Sequence, residues 1–153
     1  LMYRPVGKLA YGVFAAASYL QRFPDPSPAT VASVALLPPM DMLAQMRAAK
    51  AAGLERALIS VNSFAAQLES VKQGLGVAVL PRTVAKDLIE LFPHVRLPDM
   101  PVYLVTRPQA LKQPHIQSFF ALLEQGLREA LRHGQEENHR ASEQIANGTQ
   151  PTF

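Results

Sequence analysis

Short apolar runs separated by helical stripes constrain this chain more than any other feature. Leu9–Ala15, Ser33–Leu37, Ala57–Val61, Gly76–Leu80 and Val102–Thr106 are nearly continuous in apolar character and bounded by Pro, Gly or polar residues. A strand wetted on one side alternates, whereas a strand covered on both faces need not. Between these runs lie stripes at helical spacing. Met42, Leu43, Met46 and Ala49 follow Asp41, an N-cap residue type, and stop at Gly53. Phe64, Leu68 and Val71 recur every three to four residues behind Ser63, a second N-cap type. Val84, Leu88 and Leu91 repeat the spacing behind Thr83 and end at Pro93. Ile116, Phe119, Phe120, Leu123, Leu127 and Leu131 define one face of the longest helix, with Pro114 suited to its first turn and Gly134 to its exit. Alternating β and α elements predict an α/β fold, a mixed sheet flanked by helices and joined by crossovers. Pro24, Pro26 and Pro28, and then Pro38 and Pro39, mark connecting segments.

Composition narrows the class. The 153 residues are 48% hydrophobic and 18% charged, enough to bury the core of one soluble domain. No apolar run nears the roughly 18 residues that span a bilayer, and Arg4 and Lys8 precede no apolar core of a secretory signal. A cytoplasmic protein without membrane partners is expected. Cysteine is absent, so disulfides, thiol nucleophiles and cysteine-ligated metals are excluded together. Residues 1–133 hold 14 Lys/Arg against 9 Asp/Glu, but the cations stand singly, unlike a nucleic-acid footprint. Residues 133–153 turn polar without an apolar period and read as a disordered tail, leaving residues 1–132 as the folded part.

Reactive constellations are missing. There is no G-x-S-x-G, P-loop or H-E-x-x-H pattern, and Gly74-Leu75-Gly76 precedes a strand rather than a helix. His94, His115, His133 and His139 lack ligand spacing within one helix. No catalytic residue, metal or cofactor is expected.

The most informative stretch runs from Asn62 to Pro81: strand end, helix, tight turn, buried strand, stop. Gly74 can take the left-handed conformation that ends a helix, and Gly76 can start a strand where another backbone passes closely. Pro81 ends the strand because it cannot donate to the ladder. This segment resembles the effector-binding domain of LysR-type transcriptional regulators, in which a helix, a G-x-G turn, an apolar strand and an L-P stop follow one another. Two flanking segments agree with the resemblance. Tyr11 to Leu20 resembles that family's strand and "A-S-x-Y-L" helix start, and Pro101 to Thr106 with the helix from His115 to Leu131 resembles its returning strand and last helix.

The resemblance, over residues 3–131, implies a periplasmic-binding-protein-like (type II) fold with its first lobe incomplete. It implies that the intact protein binds a small, often anionic metabolite between two lobes and passes the closure to a DNA-binding domain. The family's N-terminal winged helix-turn-helix and linker helix do not occur in this sequence, which, with the leading Leu1, fits a fragment, a truncated reading frame or a non-ATG start. DNA contact is then expected only through that missing domain, and homo-oligomers only in the full-length form. Ser18, Asn62, Ser63 and Phe64 are the candidate effector contacts. The last three lie where strand turns into helix, and a helix N-terminus offers N–H groups suited to a carboxylate. Each has a plainer reading: Ser18 and Ser63 as caps, Phe64 as core. Arg22 and Arg82 could fork a carboxylate, although solvated surface is the simpler expectation. A solute-binding protein of the same fold, or a remnant that interferes with full-length relatives, are the alternatives.

Overall fold

The computed structural model describes residues 1–146. The chain divides into two compact units, Ala10–Asp99 and Leu1–Leu9 together with Met100–Phe153.

The Ala10–Asp99 unit is built around β2 (Tyr11–Ala15), every residue of which is buried. β5 (Ala78–Pro81) and β6 (Ile89–Leu91) flank it, both antiparallel. β3 (Ser33–Leu36) and β4 (Ala57–Val61) pair in parallel. A parallel bridge from Ser33 to Val77 joins the two sets, with Val77 N–H donating to Ala32 O and Val34 N–H to Val77 O, each at 2.8 Å. The mixed α/β character follows from this seam. The core gathers Phe14, Val34, Val71, Ala78, Leu80 and Ala85, with Val61, Leu68 and Leu88 packed against them. Each fully buried Val, Leu or Phe side chain among them contributes about 1.5–3 kcal/mol. The helices of this unit are α1 (Ala17–Arg22), α2 (Ala44–Ala51) and α3 (Phe64–Lys72).

In the other unit, β1 (Met2–Leu9) runs antiparallel to β7 (Met100–Thr106), with a bulge between Pro5 and Gly7. The long helix α4 (Pro114–Ala146) packs on β1. Leu131 covers Gly7, where an added Cβ would lie 2.9 Å from Leu131 Cδ1. Glu124 accepts from Arg4 and from Arg128, each at 2.8 Å, and Arg128 also donates to Pro5 O.

Four sequence expectations are corrected. The run Leu9–Ala15 is two strands that separate at Ala10, and Pro5 and Gly7 had masked the alternation of β1. No helix follows Thr83: Arg82–Val84 is a single 3₁₀ turn, and Ile89–Leu91 joins the sheet as β6. Between Pro81 and Pro93 there is little length to nucleate a helix, and β2 offers an open ladder edge instead. Asp41 caps nothing. It sits inside the 3₁₀ turn Met40–Met42, and α2 begins later with Leu43 as its N-cap residue. Finally, α4 runs through Gly134 to Ala146. An interior glycine costs about 1 kcal/mol, too little to stop a helix followed by Gln, Glu, Arg and Ala. The expected disordered tail from 133 is therefore helical as far as 146, and residues 147–153 lie outside the described residues.

Candidate functional site

α3 organises the candidate residues. Its N-cap is Ser63, held extended at φ −149°, with Oγ accepting the Ala66 N–H at 3.1 Å. The plain capping role of Ser63 is thus real. The cap takes up one of the N–H groups that a helix start leaves over, while the N–H groups of Phe64 and Ala65 have no acceptor within the helix. Asn62 is exposed beside them, Ser63 is half-buried, and Phe64 is 44% exposed. The core reading of Phe64 therefore fails. Of its stripe, only Leu68 and Val71 turn inward, and Gln67 takes the remaining inner position at 1% exposure. The N-terminal turn of α3 thus exposes an apolar ring and an amide side chain beside two backbone N–H groups that have no acceptor within the helix.

The opposite end of α3 is closed. Gly74 takes φ +74°, Leu75 N–H returns to Ser70 O at 3.1 Å and Gly74 N–H to Val71 O at 2.9 Å. This left-handed stop satisfies the last carbonyls of the helix, and only glycine adopts it without strain. Arg22 donates from its guanidinium to Gly74 O. Ser18 lies against the same turn, where a Cβ on Gly74 would meet its Oγ. Ser18 does not cap α1, whose N-cap is Ala16 with no side-chain cap bond. Nine residues of helix separate the two ends by about 13 Å. The structure thus brings Asn62, Ser63 and Phe64 together and sets Ser18 apart from them.

Neither arginine is plain solvated surface. Arg22 serves the α3 stop, and Arg82 forks onto Glu90 at 2.5 and 2.7 Å with its guanidinium 5.9 Å from the Phe14 ring centroid. Both guanidinium groups already have oxygen partners within this unit. The sequence reading also missed two acceptors. Asp41 Oδ1 and Gln67 Oε1 are buried without a partner, and both line one cavity between α2 and the sheet. Only a polar residue interrupting the inner face of α3 could have flagged Gln67. Among the described residues no group of His, Asp and Glu is arranged to hold a metal, and no helix is long and apolar enough to cross a membrane.

The family model described as the LysR substrate binding domain matches residues 1–128. A comparison with curated proteins finds no match. Among solved structures, the chain resembles the regulatory domain of CrgA, a LysR-type transcriptional regulator from Neisseria meningitidis, with TM-score 0.70 and 16% identity. That match covers 82% of this chain and 68% of the CrgA domain. Against the longer CrgA structure the TM-score is 0.71 at 16% identity, over 83% of this chain and 48% of CrgA. The effector-binding domain of QuiR in complex with shikimate matches at TM-score 0.54 and 16% identity, over 88% of this chain and 66% of that one. The chain thus spans about two thirds of the isolated regulatory domains and about half of the longer CrgA chain.

Proposed function

Since the chain belongs to the LysR substrate-binding domain family and carries its periplasmic-binding-protein-like fold, we propose that it is the effector-sensing part of a transcription regulator. Its ligand is a small carboxylate received at the N-terminal turn of α3. The observation that carries this reading is the state of that turn. Ser63 fixes the helix start through Ala66, and Phe64 and Ala65, whose N–H groups have no acceptor within the helix, are exposed beside Asn62. Backbone donors at a helix start, with the partial positive charge of the helix behind them, favour an anion. Asn62 adds a side-chain donor, and the Phe64 ring supplies an apolar wall.

Ser18 belongs to a different task in this reading. It supports the stop at Gly74, so its loss acts on stability and not on effector affinity. DNA contact, assembly into oligomers and residence in the cytoplasm follow the family pattern and belong to the whole regulator. The cations of this chain stand singly, unlike a nucleic-acid footprint, and the family it belongs to is a substrate-binding domain, which supports a sensing role.

The test is calorimetric titration with matched small carboxylates and their primary amides. Carboxylates should bind and amides should not, and Asn62→Ala should weaken binding by about tenfold, the loss of a charge-assisted hydrogen bond. Equal affinity for acid and amide would overturn the assignment.

A further inference from the structure

A second site lies inside the Ala10–Asp99 unit, on the buried side of α3, where Gln67 and not the exposed Phe64 is among the lining residues. A cavity of about 290 Å³ opens between α2 and the strands β3 and β5. Its walls are mostly apolar, with Leu36, Met46 and Ala49 among them. A dry apolar cavity of about 150 Å³ already admits benzene, so this one accepts a small organic molecule. Two features set it apart from a packing fault. Gln67 is 1% exposed and spends its Nε2 on Val34 O at 2.9 Å, leaving Oε1 buried with no donor. Asp41 Oδ1, in the 3₁₀ turn Met40–Met42, is likewise buried without a donor. Buried polar atoms are almost always paired, so two unpaired acceptors in one cavity call for donors from outside the chain. The charged residues lining the cavity are Asp41, Glu55 and Lys50, two acids against one base.

We infer that this cavity binds a small organic ammonium ion with an apolar body. The ammonium group donates to Asp41 and Gln67, and the body rests among Leu36, Met46 and Ala49. This ligand has the opposite charge to the one assigned to α3, so one site can fail without the other. A neutral alcohol of the same shape fits the walls and can donate only one hydrogen bond.

Benzylammonium, benzyl alcohol and benzoate are the probes, titrated into the full chain and followed by amide shifts in ¹H–¹⁵N spectra. Benzylammonium should saturate with shifts centred on Asp41, Met46, Ala49 and Gln67. Benzyl alcohol should bind more weakly, and benzoate should produce no shift there. Asp41→Asn, which keeps shape and an acceptor oxygen, should weaken benzylammonium by about tenfold and leave benzyl alcohol unchanged. Ala49→Phe fills the cavity and should abolish both, with thermal melts of each variant confirming the fold. The inference is overturned if benzylammonium does not saturate, if benzoate binds equally well, or if Asp41→Asn leaves the amine affinity intact. Shifts confined to residues 62–66 would also overturn it, because the amine would then be using the α3 turn.

Discussion

Gly76→Ala is the sharpest test of how the Ala10–Asp99 unit holds together. A Cβ at Gly76 would stand 2.6 Å from Ala32 O and 3.2 Å from Val34 Cγ2. The first of these is backbone and cannot rotate away. Ala32 O is also the acceptor for Val77 N–H, and the neighbouring bond from Val34 N–H to Val77 O completes the seam between β3 and β5. Opening it loses two hydrogen bonds, about 1 kcal/mol each. Overpacking against Val34 and Val77, which are 2% and 0% exposed, adds at least about 1 kcal/mol. The lower entropy of the unfolded alanine chain returns about 0.4–1 kcal/mol. The net loss is about 2–3 kcal/mol, which lowers the melting midpoint by about 8–24 °C in a unit of this size. Circular dichroism melts read it directly, with urea unfolding as a check that the slope is unchanged. Gly126→Ala is the matched control, since nothing lies within 4 Å of a Cβ there and the position is helical. It should gain about 0.5–1 kcal/mol. A Gly76→Ala protein that melts within about 2 °C of the parent would refute the argument from close approach.

Three further outcomes follow from the same structure. Ser63→Ala removes the acceptor for Ala66 N–H and should cost about 1 kcal/mol in urea unfolding, whereas Ser63→Asp should restore it. The hydrogen bonds from Arg4 and then Arg128 hold the Glu124 carboxyl below the ordinary carboxylate range. A lowered value means its contribution is present above the ordinary Glu pKa of about 4.3 and lost as pH falls through the folded value; Glu124→Gln should lower the neutral-pH melting point and flatten that acid limb. Leu131→Ala uncovers Gly7 and the β1 bulge and should cost about 2–3 kcal/mol, with amide exchange quickening first in β1.

The parts of the fold that were legible in the sequence rest on local chemistry. Ser63 caps α3, Gly74 stops it and Gly76 admits a passing backbone, because each role is set by one residue's own geometry. The parts that were not legible depend on partners distant in the chain. Val84, Leu88 and Leu91 fit a helical stripe, and only the open edge of β2 decides that Ile89–Leu91 is a strand. β1 hides behind a proline and a glycine that its bulge accommodates once β7 is in place. The candidate site divides in the same way. Asn62, Ser63 and Phe64 are neighbours in sequence, while the placing of Ser18 at the far end of α3 is a tertiary fact. The inner position of Gln67 became visible only when Phe64 turned outward. Asp41 has the chemistry of a cap, and only the 3₁₀ turn Met40–Met42 makes it a lining residue of the cavity.

The measurement that bears most directly on the central claim is a ¹H–¹⁵N titration of the full chain with the tightest-binding small carboxylate from the calorimetric panel. The account predicts saturating shifts led by the amides of Phe64 and Ala65, with Ala66 following because its N–H is already held by Ser63. Shifts at Ser18, Arg22 and Gly74 should be small. A carboxylate that saturates while the Phe64 and Ala65 amides stay in place would contradict the assignment of the effector site to the start of α3.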